Sequence, residues 1–178
     1  MLLIPHFKVM ITPLLAASLF GQMNKLSGSP VPEFVGKEWL NVEKPLKMSD
    51  RLGRVTLVYF WTFACSNCQN NLPAIRRISE SFKKQGVEVI SIHTPELSEE
   101  RDVNNVKKAV AKYGIKYPVL IDGSSTNWKA WKAEAWPLLY LVDKHNKVRA
   151  NWVGELNYGD HTGEADMSRT IRGLLAEK

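Results

Sequence analysis

The stretch "VTLVYFWTFACSNC", residues 55–68, joins an apolar run to the only two cysteines of the 178-residue chain. Its first seven residues are almost continuously β-branched, aromatic or aliphatic, which predicts a central β-strand covered on both faces. From Leu72 onward apolar residues recur at helical spacing, and Gly86 stands where a helix C-terminal cap is expected. The sequence therefore predicts that Cys65 and Cys68 lie at a strand-to-helix junction.

This position favours redox chemistry at the cysteine pair. A helix N-terminus presents unpaired N–H groups and the positive end of the helix dipole, which stabilise the thiolate form of Cys65. Cys68, three residues later, falls on the same helical face and can reach back to Cys65. A thiolate that attacks a substrate disulfide, beside a second thiol that resolves the mixed disulfide, is the chemistry that this pair indicates.

Other uses of the pair fit the sequence less well. A disulfide across two intervening residues constrains the unfolded chain little, because the entropic benefit grows with loop length. A structural zinc site needs four ligands, and besides this pair the chain has only four histidines, one in the leader and one in a turn. A c-type haem attachment requires His directly after the second cysteine, where the chain has Gln69. We therefore expect no metal, and no cofactor beyond the redox-active disulfide itself.

The remaining sequence predicts an α/β fold. Helical and strand patterns alternate after the first strand, and the last two strands form a hairpin before a closing helix, which implies a mixed sheet with helices on both faces. Three tryptophans with helix or strand spacing, Trp128, Trp131 and Trp152, are predicted to pack in the core. Further strands are expected at 87–92, 117–122, 137–143 and 148–154, and further helices near 103–113, 126–134 and 167–175.

Composition and the N-terminus indicate an exported, soluble domain. The 24 Lys and Arg residues are interleaved with 18 acidic residues, so we expect a solvated surface and no nucleic-acid binding. Residues 1–22 contain an apolar run that resembles a signal peptide or an uncleaved N-terminal anchor. The Pro-, Gly- and Ser-rich residues 23–34 are predicted to form a linker, and residues 35–178 a single domain in an extracytoplasmic location.

Several ordered motifs resemble a known family. "FWTFACSNC", Pro73 and a later Trp136–Pro137 pair resemble the thioredoxin superfamily. The export signal and an extra helix and strand between residues 99 and 121 resemble the TlpA/ResA-type extracytoplasmic thiol-disulfide oxidoreductases. "EWLN", "FWTFACSNC", "HTPE" and "AWP" are most similar to the C-terminal thioredoxin-like domain of DipZ-type proteins. The resemblance covers about residues 35–177 and implies a thioredoxin-like mixed sheet flanked by helices, with a TlpA/redoxin-type helix–strand insertion.

The resemblance also implies roles for individual residues. Cys65 matches the attacking cysteine of the family and Cys68 the resolving one. Trp61 matches the tryptophan beside the disulfide, and Pro137 matches a proline that follows a cis peptide bond. That bond would turn the backbone of Trp136 toward the cysteines, where an extended substrate segment can pair with it by β-augmentation. We therefore expect Trp61, Trp136 and Pro137 to bind substrate.

A third expected catalytic residue and two departures from the family complete the candidate site. In the TlpA/ResA pattern a Glu follows the second main strand, and Glu96 takes that position. The resemblance implies that Glu96 is desolvated, has a raised pKa and accepts the proton of Cys68; a charge at a helix start is the alternative. Tyr59 stands six residues before Cys65, where thioredoxin has a buried Asp. Ser66–Asn67 replaces the Gly-Pro of thioredoxin, so the resemblance does not predict the reduction potential of the Cys65/Cys68 couple.

The predicted function is thiol-disulfide exchange with cysteine-containing extracytoplasmic proteins, in the direction of a reductase. The family implies a membrane electron donor of the CcdA/DsbD kind and apocytochrome c as one client. A peroxiredoxin-like peroxidase is an alternative, because Thr62-x-x-Cys65 reproduces part of that motif, although Val58 stands where the motif has a proline. A non-enzymatic metal carrier is the other alternative.

Overall fold

A computed structural model describes residue 21 and residues 23–178, which form one mixed sheet with helices packed against it. The strands are β1 (Met23–Pro30), β2 (Trp39–Leu40), β3 (Thr56–Trp61), β4 (Glu88–His93), β5 (Val119–Ile121), β6 (Leu138–Val142) and β7 (Lys147–Val153). The α-helices are α1 (Ser66–Phe82), α2 (Val103–Lys112), α3 (Thr126–Ala130) and α4 (Gly163–Ala176). The order of the seven strands across the sheet is β1-β7-β6-β3-β4-β5-β2.

Strand β3 lies at the centre of the sheet. All six of its side chains are buried, and it pairs in parallel with β4 and antiparallel with β6. A strand that is paired along both edges and covered on both faces requires the continuous apolar pattern that the sequence shows. Because β3 ends at Trp61 and α1 begins at Ser66, the predicted strand-to-helix junction at the cysteines is confirmed.

The two faces of the sheet build two apolar clusters. On one face Leu57, Tyr59 and Trp61 pack with side chains of α1, α2 and α4. On the other face Val58 and Phe60 pack with side chains at α3 and from the segment that precedes β3. The predicted α/β fold with helices on both faces is therefore confirmed, and α2 with β5 forms the expected helix–strand insertion.

Residues 23–34 belong to the sheet and its core, which corrects the predicted linker. Strand β1 pairs antiparallel with β7 and forms one edge of the sheet. Phe34 is 8% exposed and packs in the cluster around α3. Gly, Ser and Pro in this stretch indicated a linker, but backbone hydrogen bonds hold an edge strand, and an edge tolerates a residue such as Pro30.

The predicted leader, residues 1–22, lies outside the described residues except for Gly21. The N–H of Gly21 donates to the carbonyl of Val153 at 3.0 Å, next to the start of β1. In the described part of the chain, no helix has the length and apolar character needed to cross a membrane.

Candidate active site: the cysteine pair at the start of helix α1

Cys65 and Cys68 form a dithiol where the loop after β3 enters α1. Cys65 is the N-cap residue, and its Sγ accepts the backbone N–H of Cys68 at 3.2 Å. The thiol of Cys68 donates to the same sulfur over an Sγ–Sγ distance of 2.7 Å. Cys65 is partly exposed, whereas Cys68 is fully buried. A substrate can therefore approach the sulfur of Cys65, while the buried sulfur of Cys68 lies in contact with it.

The two thiols differ strongly in acidity. The hydrogen bond from the Cys68 thiol lowers the pKa of Cys65 to about 7, against the opposing effect of burial. Burial raises the pKa of Cys68 far above its ordinary value, and the hydrogen bond that it gives to Cys65 raises it further. At neutral pH the site therefore carries a substantial thiolate fraction on Cys65 while Cys68 keeps its proton. A thiolate is the form that attacks a disulfide.

Trp61 lies in the core, in the same apolar cluster as Cys68. Its side chain is 0% exposed, and its ring meets the ring of His93 edge-on, with centroids 5.1 Å apart. The carbonyl of Trp61 accepts the N–H of Thr94 at 3.0 Å, which joins the ends of β3 and β4. A side chain without exposed surface does not contact a substrate directly, so Trp61 supports the site from within the core.

Trp136 and Pro137 lead into β6 and are joined by a cis peptide bond, as the resemblance implied. Trp136 is partly buried against the cluster that contains Cys68. Its ring stacks on the ring of Trp128, with centroids 4.0 Å apart. Trp128, which the sequence assigned to the core, is only partly buried. The two rings form a partly exposed aromatic surface, called the Trp128–Trp136 pair below.

Glu96 does not occupy the desolvated position that the resemblance implied. Its side chain is exposed, in the segment between β4 and α2. Its backbone N–H turns inward and donates to Glu100 at 2.8 Å, which leaves the side chain toward solvent. The negative charge of Glu96 raises the pKa of Cys65, so this carboxylate opposes the thiolate there.

The buried carboxylate of this region belongs to Glu100, which sequence reasoning missed. One of its oxygens accepts the hydroxyl of Thr62 and the N–H of Ala64, the latter at 2.8 Å. The other accepts the N–H groups of Glu96 and Leu97, at 2.8 and 2.9 Å. Burial acts to raise the pKa of Glu100, but these hydrogen bonds outweigh it and lower the pKa. The ionised carboxylate ties the loop that enters α1 to the segment after β4.

His93, at the end of β4, supports the same loop as a neutral ring. Its Nε2 accepts the N–H of Phe63 at 3.3 Å, so Nδ1 carries the proton. The two rings also stack, with centroids 5.5 Å apart. Burial lowers the pKa of His93 to about 4, although the charge of Glu100 acts to raise it. His93 is therefore uncharged at neutral pH.

The family follows from comparison with known proteins. The model of the AhpC/TSA family matches residues 27–151. The chain belongs to the AhpC/TSA family. Among its relatives, Protein DipZ of Mycobacterium bovis is 36% identical over 122 residues, 67% of this chain. The chain spans 18% of the length of that relative.

Two further proteins resemble this AhpC/TSA family member over nearly their whole length. The thiol-disulfide oxidoreductase YkuV of Bacillus subtilis is 28% identical over 150 residues, which cover 83% of this chain and 95% of YkuV. The crystal structure of a thiol-disulfide isomerase from Corynebacterium glutamicum has a TM-score of 0.74 and 25% identity, and it covers 86% of this chain and 100% of its own. These matches confirm the thioredoxin-like family and the fold expected from the sequence. YkuV carries the name of the enzyme class that the sequence predicts, that of the thiol-disulfide oxidoreductases.

Proposed function

We propose that this protein exchanges disulfides with cysteine-containing proteins outside the cytoplasm. The observation that carries the proposal is the asymmetry of the pair, in which a partly exposed Cys65 with a pKa of about 7 lies 2.7 Å from the buried, protonated Cys68. One sulfur is ready to attack, and the other reacts only once a mixed disulfide exists. A relative named as a thiol-disulfide oxidoreductase supports the same activity.

The exchange runs in two steps. The thiolate of Cys65 attacks one sulfur of the substrate disulfide, the substrate S–S bond breaks, and the other substrate sulfur leaves with the electron pair. Cys68 then attacks the sulfur of Cys65, which closes the protein disulfide and releases the first substrate sulfur. The substrate gains two electrons and two protons, and the cysteine pair is oxidised. Because the sulfurs alone carry this chemistry, the proposal includes no bound cofactor.

The backbone at Trp136 and Pro137 is the proposed binding edge for substrate. Trp136 packs against the cluster that contains Cys68, which supports a position close to the reacting sulfurs. An extended substrate segment could add to this backbone by β-augmentation. The Trp128–Trp136 pair would then provide a flat apolar surface for a side chain next to the substrate cysteine.

The proposed direction is that of a reductase. The oxidised pair would be reduced again by a membrane protein of the CcdA/DsbD kind, and apocytochrome c is one proposed client. Support for an extracytoplasmic location comes from the apolar leader in residues 1–22 and from the resemblance to TlpA/ResA-type proteins. The reduction potential of the Cys65/Cys68 couple tests the direction, because a strongly reducing value favours a reductase and a high value an oxidase or an isomerase.

Trapping of the mixed disulfide tests the activity and the role of each sulfur. Cys68→Ala keeps the attacking thiolate but cannot resolve, so it should accumulate a mixed disulfide with insulin, a protein disulfide substrate. Cys65→Ala should trap none, and the double variant Cys65→Ala/Cys68→Ala is the blank. Circular dichroism of all three variants controls for folding. Equal trapping by the two single variants would show that the assignment of attacker and resolver is wrong.

The central strand weighs against the peroxidase alternative. Val58 stands where that motif has a proline, and it is paired with β4 on one side and with β6 on the other. A proline has no N–H to donate, so the middle of a central strand disfavours it. Consumption of hydrogen peroxide faster than reduction of insulin would favour the peroxidase instead.

The metal-carrier alternative is tested separately. Among residue 21 and residues 23–178, no three or more His, Cys, Asp or Glu side chains are grouped as metal ligands. Stoichiometric metal binding by the reduced protein, together with no reduction of insulin, would favour a metal carrier.

A further inference from the structure

Tyr59 brings a buried hydroxyl to the first turn of α1. The residue lies in β3, two positions before the end of the strand, and it has no exposed surface. Its hydroxyl donates to the backbone carbonyl of Cys68 at 2.9 Å. Its ring stacks on Trp61, with centroids 6.5 Å apart, and this contact restricts the direction in which the hydroxyl points. The side chain of Tyr59, on the central strand, therefore anchors the backbone of Cys68.

We propose that Tyr59 is a positioning residue for the second step of the exchange, in which Cys68 attacks the mixed disulfide at Cys65. This inference rests on the proposed function. The hydroxyl fixes the turn of α1 in which the two sulfurs lie 2.7 Å apart.

The hydroxyl of Tyr59 acts as a donor and not as a base. Burial raises the pKa of Tyr59 well above its ordinary value, and charges on Cys68, Tyr117 and Cys65 raise it further. The Tyr59 hydroxyl acts in the opposite direction on Cys68, since it lowers the pKa of Cys68 against the larger effect of burial. Tyr59 therefore favours the Cys68 thiolate without taking its proton.

The proton of Cys68 passes to the departing sulfur of a protein substrate, or to water where the departing thiolate stays ionised, as an aromatic thiolate does. In the second step a bond forms between the sulfurs of Cys68 and Cys65, the bond from Cys65 to the substrate breaks, and the departing substrate sulfur takes the electron pair. The nearby carboxylates are not arranged as bases for this step. Glu96 is exposed, and both oxygens of Glu100 already accept backbone N–H groups.

Two phenylalanine variants separate positioning from general stability. Tyr59→Phe removes the hydroxyl and keeps the ring. Tyr140→Phe is the matched control, because the buried Tyr140 hydroxyl also donates to a backbone carbonyl, that of Trp131, at 2.9 Å. Tyr140 lies in the cluster on the other face of the sheet. A purely structural effect of losing one such hydrogen bond would therefore appear in both variants.

The readout is the reaction of the reduced proteins with dithiobisnitrobenzoate, an aromatic disulfide that releases coloured thiolates. The first release reports the attack by Cys65, and the second reports its displacement by Cys68. We expect Tyr59→Phe to slow the second release about three- to tenfold, the factor that one hydrogen bond of ordinary strength is worth, and to leave the first unchanged. Tyr140→Phe should show the wild-type rate in both phases.

Each other outcome overturns a defined part of the reasoning. An unchanged second release in Tyr59→Phe, or equal slowing in both variants, would remove the role of Tyr59. A wild-type protein that releases only the first thiolate would instead refute the proposed exchange function. If Tyr59→Phe does not fold, a fluorotyrosine at position 59 provides the test, because its more acidic hydroxyl is a stronger donor and should speed the second release. No acceleration would then refute the role.

Discussion

Mild acid should weaken the fold through His93, and His93→Gln should remove that sensitivity. Burial lowers the pKa of His93 from 6.5 to about 4, so the folded state holds the neutral ring. Between these values the unfolded chain binds a proton that the folded chain does not, and the free energy of unfolding falls as the pH falls. The contribution of the neutral His93 ring to the free energy of unfolding is fully present above pH 6.5 and is lost progressively down to about pH 4.

The magnitude follows from the two pKa values of His93. At roughly 1.4 kcal/mol per pKa unit, the full effect is about 3 kcal/mol, and about 2 kcal/mol of it is lost by about pH 5. Hydrogen bonds lower the pKa values of Glu33, Glu100 and Asp143 against the opposing effect of burial, so these carboxylates stay ionised above about pH 5 and contribute little to the loss there. Domains are stable by only about 5–15 kcal/mol, so the loss is large enough to measure.

Urea unfolding at about pH 7.5 and about pH 5, in one redox state, measures the loss. The wild type should lose about 2 kcal/mol, and His145→Gln, at an exposed histidine, should lose the same. His93→Gln should lose less than about 0.5 kcal/mol. It loses the ring stack on Phe63 at any pH, so the pH difference is the readout and not the absolute stability. Equal losses in all three proteins would refute the buried neutral ring.

Two further predictions concern Glu96 and Gly163. Glu96→Gln should lower the pKa of Cys65, since an exposed charge that opposes the thiolate is removed, and the pH dependence of alkylation measures this change. Slower resolution of a mixed disulfide would instead support Glu96 as the base. Gly163→Ala should cost about 1–3 kcal/mol in urea unfolding, because the new Cβ would lie 2.5 Å from the carbonyl oxygen of Leu156. Gly173→Ala, in the same helix with no atom near its Cβ, should be neutral or stabilising; equal destabilisation of both would contradict the clash.

The fold could be predicted where burial dictates composition. Strand β3 needs apolar residues at every position, so its pattern identified the centre of the sheet. Strand β1 has a single paired edge, and its Gly, Ser and Pro residues carry no apolar alternation. The predicted helix over 126–134 is shorter in the structure, where α3 ends at Ala130 and Lys132 adopts a positive φ of 52°. Such local turns depend on tertiary contacts that spacing does not reveal.

The candidate site, like the fold, could be predicted only in part from the sequence. The cysteine pair was visible because a strand followed by CxxC and a helix places both sulfurs by local geometry. The position of the buried carboxylate could not be predicted, because Glu96 and Glu100 both follow β4 and only the path of the turn decides which of them is buried. One signal was present, since Glu100 lies three residues after Leu97, the spacing at which a side chain accepts a helix-start N–H. The contact of Tyr59 with Cys68 arises from tertiary packing alone.

The most direct test of the central claim is alkylation of the two thiols in the reduced, folded protein as a function of pH. Iodoacetamide is the reagent, and mass spectrometry of the peptides follows Cys65 and Cys68 separately. We expect the rate at Cys65 to rise to a plateau with a midpoint at about pH 7, while the fully buried Cys68 stays unmodified. A midpoint for Cys65 near the ordinary thiol value of about 8.5, or modification of Cys68 as fast as Cys65, would contradict the claim that Cys65 is the attacking thiolate.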